Sequence, residues 1–113
     1  MLNLKQANRE LFNDGVCILC RTDKRKIVAN VARLRFGIRT VGVTRFYQAK
    51  IADSGIDKLI SVPFNSFISS KHIVLINDEQ YNIKLVQEKY DTVPPSMYIT
   101  LQKTIPAYED ERQ

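Results

Sequence analysis

Hydrophobic and polar residues alternate along most of this chain, which is the period of a half-buried β-strand. Segments with this pattern, or with a short apolar run, are residues 16–21, 26–36, 56–62, 72–76, 81–88 and 98–103. Residues that favour turns separate several of them, such as Asn13-Asp14-Gly15 before the first. The pattern predicts a mainly β protein, a small β-barrel of about six antiparallel strands, with a sandwich as the related architecture.

Two pairs of these segments are predicted to form hairpins. A polar tip at residues 22–25 joins 16–21 to 26–36, and a turn at 77–80 joins 72–76 to 81–88. Side chains two apart on a strand share a face. In the second strand one face would carry Val28, Ala32, Leu34 and Phe36, and the other Val31, Arg33 and Arg35. The later strands would bury Tyr81, Ile83 and Leu85, and Ile99 with Leu101.

One segment departs from the strand period. Between about residues 44 and 54, Phe46 and Ala49 recur at helical spacing, Thr44 suits an N-cap and Gly55 a C-terminal stop. A short inserted helix is therefore expected there. Residues 1–14 are expected to form an N-terminal arm or short helix, and polar residues 105–113 a flexible tail. The whole chain, 1–113, is expected to be a single domain.

Length and composition limit the possible functions. The chain has 113 residues, of which 44% are hydrophobic and 26% charged, as in an ordinary globular domain. No apolar stretch approaches the ~20 residues of a membrane-spanning helix. The N-terminus lacks the layout of a signal peptide. We therefore expect a protein made in the cytoplasm that makes no membrane contact, and whose small core favours surface binding or assembly over a deep active site.

Charge is distributed unevenly. Residues 1–50 contain 11 Lys and Arg against 3 Asp and Glu, a balance of +8, whereas residues 51–113 contain 6 against 9, a balance of −3. This asymmetry indicates a surface that meets a polyanion, or a basic flank that meets an acidic neighbour, and a merely solvated face is the plain alternative. The basic candidates are Lys24, Arg25, Lys26, Arg33, Arg35, Arg39 and Arg45. The acidic candidates are Asp78, Glu79, Glu88 and Asp91.

Reactive chemistry has little support in the sequence. Cys17 and Cys20 form one C-x-x-C pair without the second pair or the two histidines that a zinc site needs. They lie in a strand-like run, where residues three apart point to opposite faces. The single histidine, His72, has no evident nucleophilic partner. We predict no catalytic, cofactor-binding or metal-binding residue, no cofactor and no enzymatic activity.

The chain from residue 15 to 104 resembles a known family of small structural proteins. The stretches that carry the likeness are Phe36-Gly37-x-Arg39-Thr40-Val41-Gly42-Val43-x-Arg45-Phe46-Tyr47-Gln48-Ala49-Lys50, Ile56-Asp57-Lys58-Leu59-Ile60-x-Val62-Pro63, Ile73 to Ile83, Gln87-Glu88-Lys89, and Pro94 to Leu101. Their order is a helix, a strand, a hairpin and a last strand. This layout is similar to the head–tail connector proteins of long-tailed bacteriophages, in the head-completion (head-closure or stopper) group.

The resemblance implies a structural virion protein without catalytic residues. Subunits would form a ring under the portal, a dodecamer in the assembled virion, that closes the DNA-filled head and provides the platform for tail attachment. Whether the isolated protein is a monomer or already associates is left open by the resemblance. Its partners would be other copies of itself, the portal or adaptor protein, a tail-completion or tail protein, and double-stranded DNA passing without sequence recognition. The protein would be located at the head–tail interface of the virion, and in the host cytoplasm during assembly.

Several alternatives remain at this level. The basic residues would either line a DNA channel through phosphate contacts or pair with acidic residues of the adjacent subunit. The apolar loop residues Phe64, Phe67 and Ile68 would either form an interface or plug the core. The protein could also be a phage tail-completion or terminator protein, or a small nucleic-acid-binding β-barrel that stacks bases on strand aromatics.

Overall fold

A computed structural model describes residues 8–39, 57–65 and 67–112 of the chain. This part of the protein is mainly β and contains no helix. The six predicted strands are confirmed, each shifted by no more than three residues at either end, and three two-residue strands accompany them. In chain order the strands are β1 (Asn8–Arg9), β2 (Gly15–Asp23), β3 (Lys26–Ile38), β4 (Lys58–Pro63), β5 (Ile73–Ile76), β6 (Glu79–Lys89), β7 (Thr92–Val93), β8 (Ser96–Lys103) and β9 (Glu109–Asp110).

The six longer strands hydrogen-bond in a closed ring. Their order is β2-β5-β6-β8-β4-β3, and β3 pairs back onto β2. All six pairings are antiparallel, and the two predicted hairpins, β2–β3 and β5–β6, are both present. Outside the ring, β1 pairs in parallel with β7, and β9 in parallel with the start of β3.

The main core fills the inside of this ring. It contains thirteen buried residues, and six of them are at most 1% exposed: Leu19, Ile60, Val62, Val74, Ile99 and Leu101. Ile99 and Leu101 thus have the inward orientation that the alternation of the last strand predicts. Phe36 and Tyr81 are also buried there, at 4% and 3% exposure. The inner faces of strands distant in sequence therefore meet in one cluster, which positions the outer faces toward solvent.

A bulge changes the predicted face of one residue on β6. A register shift between Ile83 and Leu85 inserts Lys84 into β6, so Ile83 is buried whereas Leu85 is 47% exposed. The prediction that Leu85 belongs to the buried face is wrong, because an extra residue reverses the alternation beyond it. Two further shifts lie in the β2–β3 hairpin, and because each skips one residue of β3, Ile27 stays on the same outer side as Arg33 and Arg35.

A second, smaller apolar cluster lies on the outer faces of β2 and β5. It is formed by Cys20, Ile27, Ile73 and Leu75, with Ile18 and Tyr108 packed against it. Cys17 and Leu19 belong instead to the main core, so the two cysteines lie on opposite faces of β2, as predicted.

The C-terminal segment, which the sequence predicts to be a flexible tail, follows a defined course across this outer cluster. The Gln80 side chain holds the Tyr108 backbone twice: Gln80 Nε2 donates to the Tyr108 carbonyl at 2.7 Å, and the Tyr108 N–H donates to Gln80 Oε1 at 2.6 Å. Farther on, Arg112 bonds Asp110 and the Asn30 side chain. The segment thereby covers apolar surface that the ring leaves outside.

Some predictions fall outside the described residues. They are the inserted helix at 44–54, the candidate Arg45 within it, and the first seven residues of the N-terminal arm. Of the arm, Asn8–Arg9 form β1, and Glu10 continues it through a hydrogen bond from its N–H to the Val93 carbonyl at 3.0 Å.

The turn between β2 and β3 is sterically costly for its residues. Lys24 and Arg25 have φ values of 50° and 62°, the left-handed conformation of a two-residue type I′ turn, which favours Asn and Gly. Lys24→Gly is therefore expected to raise the free energy of unfolding by about 0.5–1 kcal/mol, since glycine adopts this conformation without a Cβ clash. Urea denaturation measures the change. Lys24→Ala, which removes the same side chain but keeps Cβ, should bring no gain.

Candidate functional site

The outer face of the β2–β3 hairpin carries two exposed arginines. Arg33 and Arg35 point outward from β3, opposite Ile18 and Val16 of β2. Neither arginine forms an ion pair or a hydrogen bond with a described side chain. Val16 and Val31, at 38% and 40% exposure, lie on the same side. We call Val16, Ile18, Val31, Arg33 and Arg35 the hairpin face: a mixed apolar and cationic surface that a partner could neutralise.

Two of the basic side chains at the tip of the β2–β3 hairpin contact the C-terminal segment of the same chain. The Arg25 guanidinium lies over the Tyr108 ring, 4.5 Å from its centroid, and donates to the Pro106 carbonyl at 2.9 Å. Lys26 Nζ lies 3.4 Å from a Glu111 carboxylate oxygen. Lys24 projects from the turn without an ion-pair partner in the described part of the chain. Two of the three predicted tip candidates thus bind the C-terminal segment, and Lys24 is exposed for other contacts.

Arg39 has a role that the sequence did not predict. Its guanidinium donates to Glu10 Oε2 through Nε at 3.1 Å and through Nη2 at 2.5 Å. The same carboxylate accepts hydrogen bonds from Ser61 Oγ at 2.7 Å and, at Oε1, from the Tyr98 hydroxyl at 2.8 Å. We call Glu10, Arg39, Ser61 and Tyr98 the Glu10 cluster. Its four members come from the N-terminal segment, the end of β3, β4 and β8.

Burial and hydrogen bonding act in opposite directions on the Glu10 carboxyl. Burial alone would raise its pKa, but the hydrogen bonds from Arg39, Ser61 and Tyr98, with the charge of Arg39, outweigh it and lower the pKa. Burial and the bond to Glu10 raise the pKa of the Tyr98 hydroxyl. The cluster is therefore a carboxylate held ionised by its donors, beside a surface cleft of about 570 Å³ that Lys89 and Asp91 also line. It anchors the N-terminal segment to the ring.

The isolation of its members in sequence explains why this cluster was missed. Glu10 is 29, 51 and 88 residues away from its three partners. No short sequence motif contains them, and a single glutamate in a polar N-terminal segment is normally expected to be exposed to solvent. The only available signal is Arg39 itself, a charged residue immediately after a long strand.

The four acidic candidates are all exposed. Glu79 accepts a hydrogen bond from the Tyr81 hydroxyl at 2.7 Å and lies 3.6 Å from Lys103 Nζ, and these contacts lower its pKa. Glu88 accepts from the Tyr90 hydroxyl at 2.6 Å. Asp91 lies 3.8 Å from Lys89 Nζ. Asp78 sits in the β5–β6 turn with φ at 67°. None of them contacts Arg33 or Arg35 within the same chain.

The apolar loop between β4 and β5 is divided between core and surface. Ile68 is 6% exposed and belongs to the main core, as the core-plug alternative predicts. Phe64 and Phe67 are 37% and 56% exposed. The Phe64 ring lies 5.4 Å from that of Tyr90, so two exposed aromatic side chains cluster at one end of the ring. Of the three loop candidates, only Phe64 and Phe67 are accessible to a partner.

The described residues offer little for reactive chemistry. Burial raises the pKa of the Cys17 thiol to about 11 and also raises that of Cys20, so both are protonated at neutral pH. His72 precedes β5, and its Nδ1 accepts from the Ser69 N–H at 3.3 Å. Within the ranges 8–39, 57–65 and 67–112, no three His, Cys, Asp or Glu residues are grouped as a metal site would require.

Comparisons with known proteins leave the chain without an identified relative: no family model matches it, and no curated protein or solved structure is significantly similar to it. In the part of the chain that the structure describes, no helix is long and apolar enough to cross a membrane.

Proposed function

We propose that this protein is a structural subunit of a bacteriophage head–tail connector, and that its six-stranded ring is a small β-barrel. Subunits would assemble as a ring under the portal, close the DNA-filled head and provide the platform for tail attachment. The activity is assembly rather than catalysis. The hydrogen-bonded ring of six strands supports the barrel, and the helix at 44–54 remains a prediction.

The observation that carries the proposal is the hairpin face. Arg33 and Arg35 are exposed without an acidic partner among the described residues of their own chain, next to exposed valines. A surface that combines exposed apolar area with unpaired charge is suited to a protein neighbour that brings the opposite charge. Asp78 lines a cleft together with Arg33. Glu88 and Asp91 lie near the end of β6 and just beyond it, where they would be available for a head-to-tail contact between identical subunits.

A nucleic-acid-binding barrel is the second candidate function, favoured by the unpaired Arg33, Arg35 and Lys24. Such barrels stack bases on aromatic side chains of the strands. Here Phe36 and Tyr81 lie in the core, and Tyr98 is bonded to Glu10. The exposed aromatic residues Phe64, Phe67 and Tyr90 lie in loops. Filter binding to single-stranded DNA tests this function, and tight binding with a steep loss in salt would support it over the connector.

Electron microscopy of negatively stained particles assembled without this protein tests the connector. We expect DNA-filled heads that lack tails and that leak their DNA. Supplying the wild-type protein should restore tailed virions. Tailed, infectious virions in its absence would refute the proposal, and empty heads with tails attached would indicate a role before head closure.

A further inference from the structure

One stretch of β3 has a backbone edge to which none of the described strands pairs. On the side away from β2, the two ends of this 13-residue strand are paired: β9 pairs with Lys26 and Ile27, and β4 with Gly37 and Ile38. Between these ends, no described residue pairs with the backbone of residues 28–35 on that side. Since backbone direction alternates along a strand from Gly37, the N–H and C=O groups of Arg35 and Arg33 point to this open side. An unpaired edge of this kind is a template for another strand.

A groove runs along the open edge. It has a volume of about 450 Å³ and is lined by Arg33, Leu34 and Arg35 on one side and by Pro63 and residues 10–13 on the other. Pro63 is the last residue of β4 and has no N–H to continue the ladder with β3. Leu11, in the groove wall, is 62% exposed. The space beside the edge is therefore open, and β4 cannot extend into it.

A second edge without a partner strand in the described part of the chain lies on β6. This strand pairs with β8 along residues 81–89, but with β5 only along residues 79–82. From Ile83 to Lys89, no described residue pairs with β6 on its β5 side. This stretch of seven residues is one residue shorter than the eight-residue edge of β3. The exposed Glu88 lies near its end, and Asp91 follows just beyond it.

We propose that these two edges pair between neighbouring copies of this chain. The β3 edge of one subunit joins the β6 edge of the next, and Arg33 and Arg35 meet Glu88 and Asp91 across the junction. A phosphate backbone could neutralise the arginines but could not pair with the N–H and C=O groups of a strand, so a peptide edge fits both features. Because the two edges differ, the contact is heterologous and propagates around a ring. The inference rests on the proposed connector function and specifies how its ring closes.

A charge-exchange experiment on the full chain tests the junction. In the variant Arg33→Glu/Arg35→Glu, the β3 edge and the β6 edge are both acidic. In Glu88→Arg/Asp91→Arg, both edges are basic. In a solution of either variant alone, like charges would therefore meet at every junction between subunits. Sedimentation velocity over a concentration series should show association of the wild-type protein, weakened at least about tenfold in each variant. An equimolar mixture should recover wild-type association, because every junction in an alternating assembly then joins opposite charges. The natural Arg–carboxylate pairs recur at half of the junctions.

The matched control replaces two other basic residues of the same hairpin by glutamate, at positions away from the unpaired stretch of β3. Arg21→Glu/Lys24→Glu should associate like the wild-type protein. Association of both test variants at wild-type strength, no recovery in the mixture, or a wild-type protein that stays monomeric at every concentration would each overturn the inference. These outcomes leave the connector function intact, since particle morphology tests that function separately.

Discussion

Glu10→Ala is expected to lower the free energy of unfolding by about 3 kcal/mol, because it removes the carboxylate that accepts hydrogen bonds from the side chains of Arg39, Ser61 and Tyr98. Arg39 would lose its carboxylate partner at 22% side-chain exposure, and Ser61 Oγ would be left without its acceptor in a fully buried residue. The partly solvated Arg39 lets water compensate for some of this loss, which keeps the value at the lower end for a broken buried pair. Urea denaturation at neutral pH measures the change.

An exposed glutamate provides the control for this prediction. Glu88 also accepts a hydrogen bond from a tyrosine hydroxyl, but at the surface. Glu88→Ala should change stability by less than about 0.5 kcal/mol. The double variant Glu10→Leu/Arg39→Met replaces the ion pair by apolar side chains and should be more stable than Glu10→Ala. Equal effects of Glu10→Ala and Glu88→Ala would show that the cluster contributes no more than a surface contact.

The same cluster predicts a pH dependence. The folded pKa of Glu10 lies below its unfolded value, so its stabilisation is complete above the unfolded pKa of about 4.3 and is lost as the pH falls through the folded pKa. The wild-type protein should therefore lose stability below about pH 4.3 more steeply than Glu10→Ala. Urea midpoints measured from pH 6 to pH 3 compare the two. Parallel curves would contradict an ionised Glu10 in the folded protein.

Leu19→Ala is expected to cost about 3–4 kcal/mol of unfolding free energy. Leu19 is 0% exposed, and β2 is paired at this residue on both sides, with Ala32 of β3 and Val74 of β5. The ring restricts collapse around the missing side chain, so a cavity adds to the lost burial. A cost of this size is a large part of the ~5–15 kcal/mol that stabilises a typical domain.

Leu85 provides the comparison for Leu19. Both are leucines on long strands of the ring, but Leu85 is 47% exposed. Leu85→Ala should cost less than about 1 kcal/mol. If Leu19→Ala fails to fold, Leu19→Val keeps most of the volume and should still destabilise the protein measurably. A cost for Leu85→Ala as large as that for Leu19→Ala would show that the bulge at Lys84 is misplaced and that Leu85 is buried.

The part of the candidate site that the sequence predicted is the part set by strand alternation. Arg33 and Arg35 were assigned to the face opposite Ala32, Leu34 and Phe36, and they do point outward. Arg39 follows the end of the same strand, where alternation no longer applies, and its partner Glu10 could not be found. That pairing depends on where the N-terminal segment crosses the ring.

The period-two pattern by itself determined the six strands, the two hairpins and the inward residues of β8, because burying one face of a strand requires local alternation. Only the tertiary structure decided the effect of one residue inserted into a strand and the contacts between segments that are far apart in the sequence. The bulge at Lys84 turned Leu85 outward, and Gln80 and the outer apolar cluster fixed the C-terminal segment. The closure of the ring likewise determined which stretches of β3 and β6 have no partner among the described strands. Pairing between strands far apart in sequence leaves no local pattern from which it could be predicted.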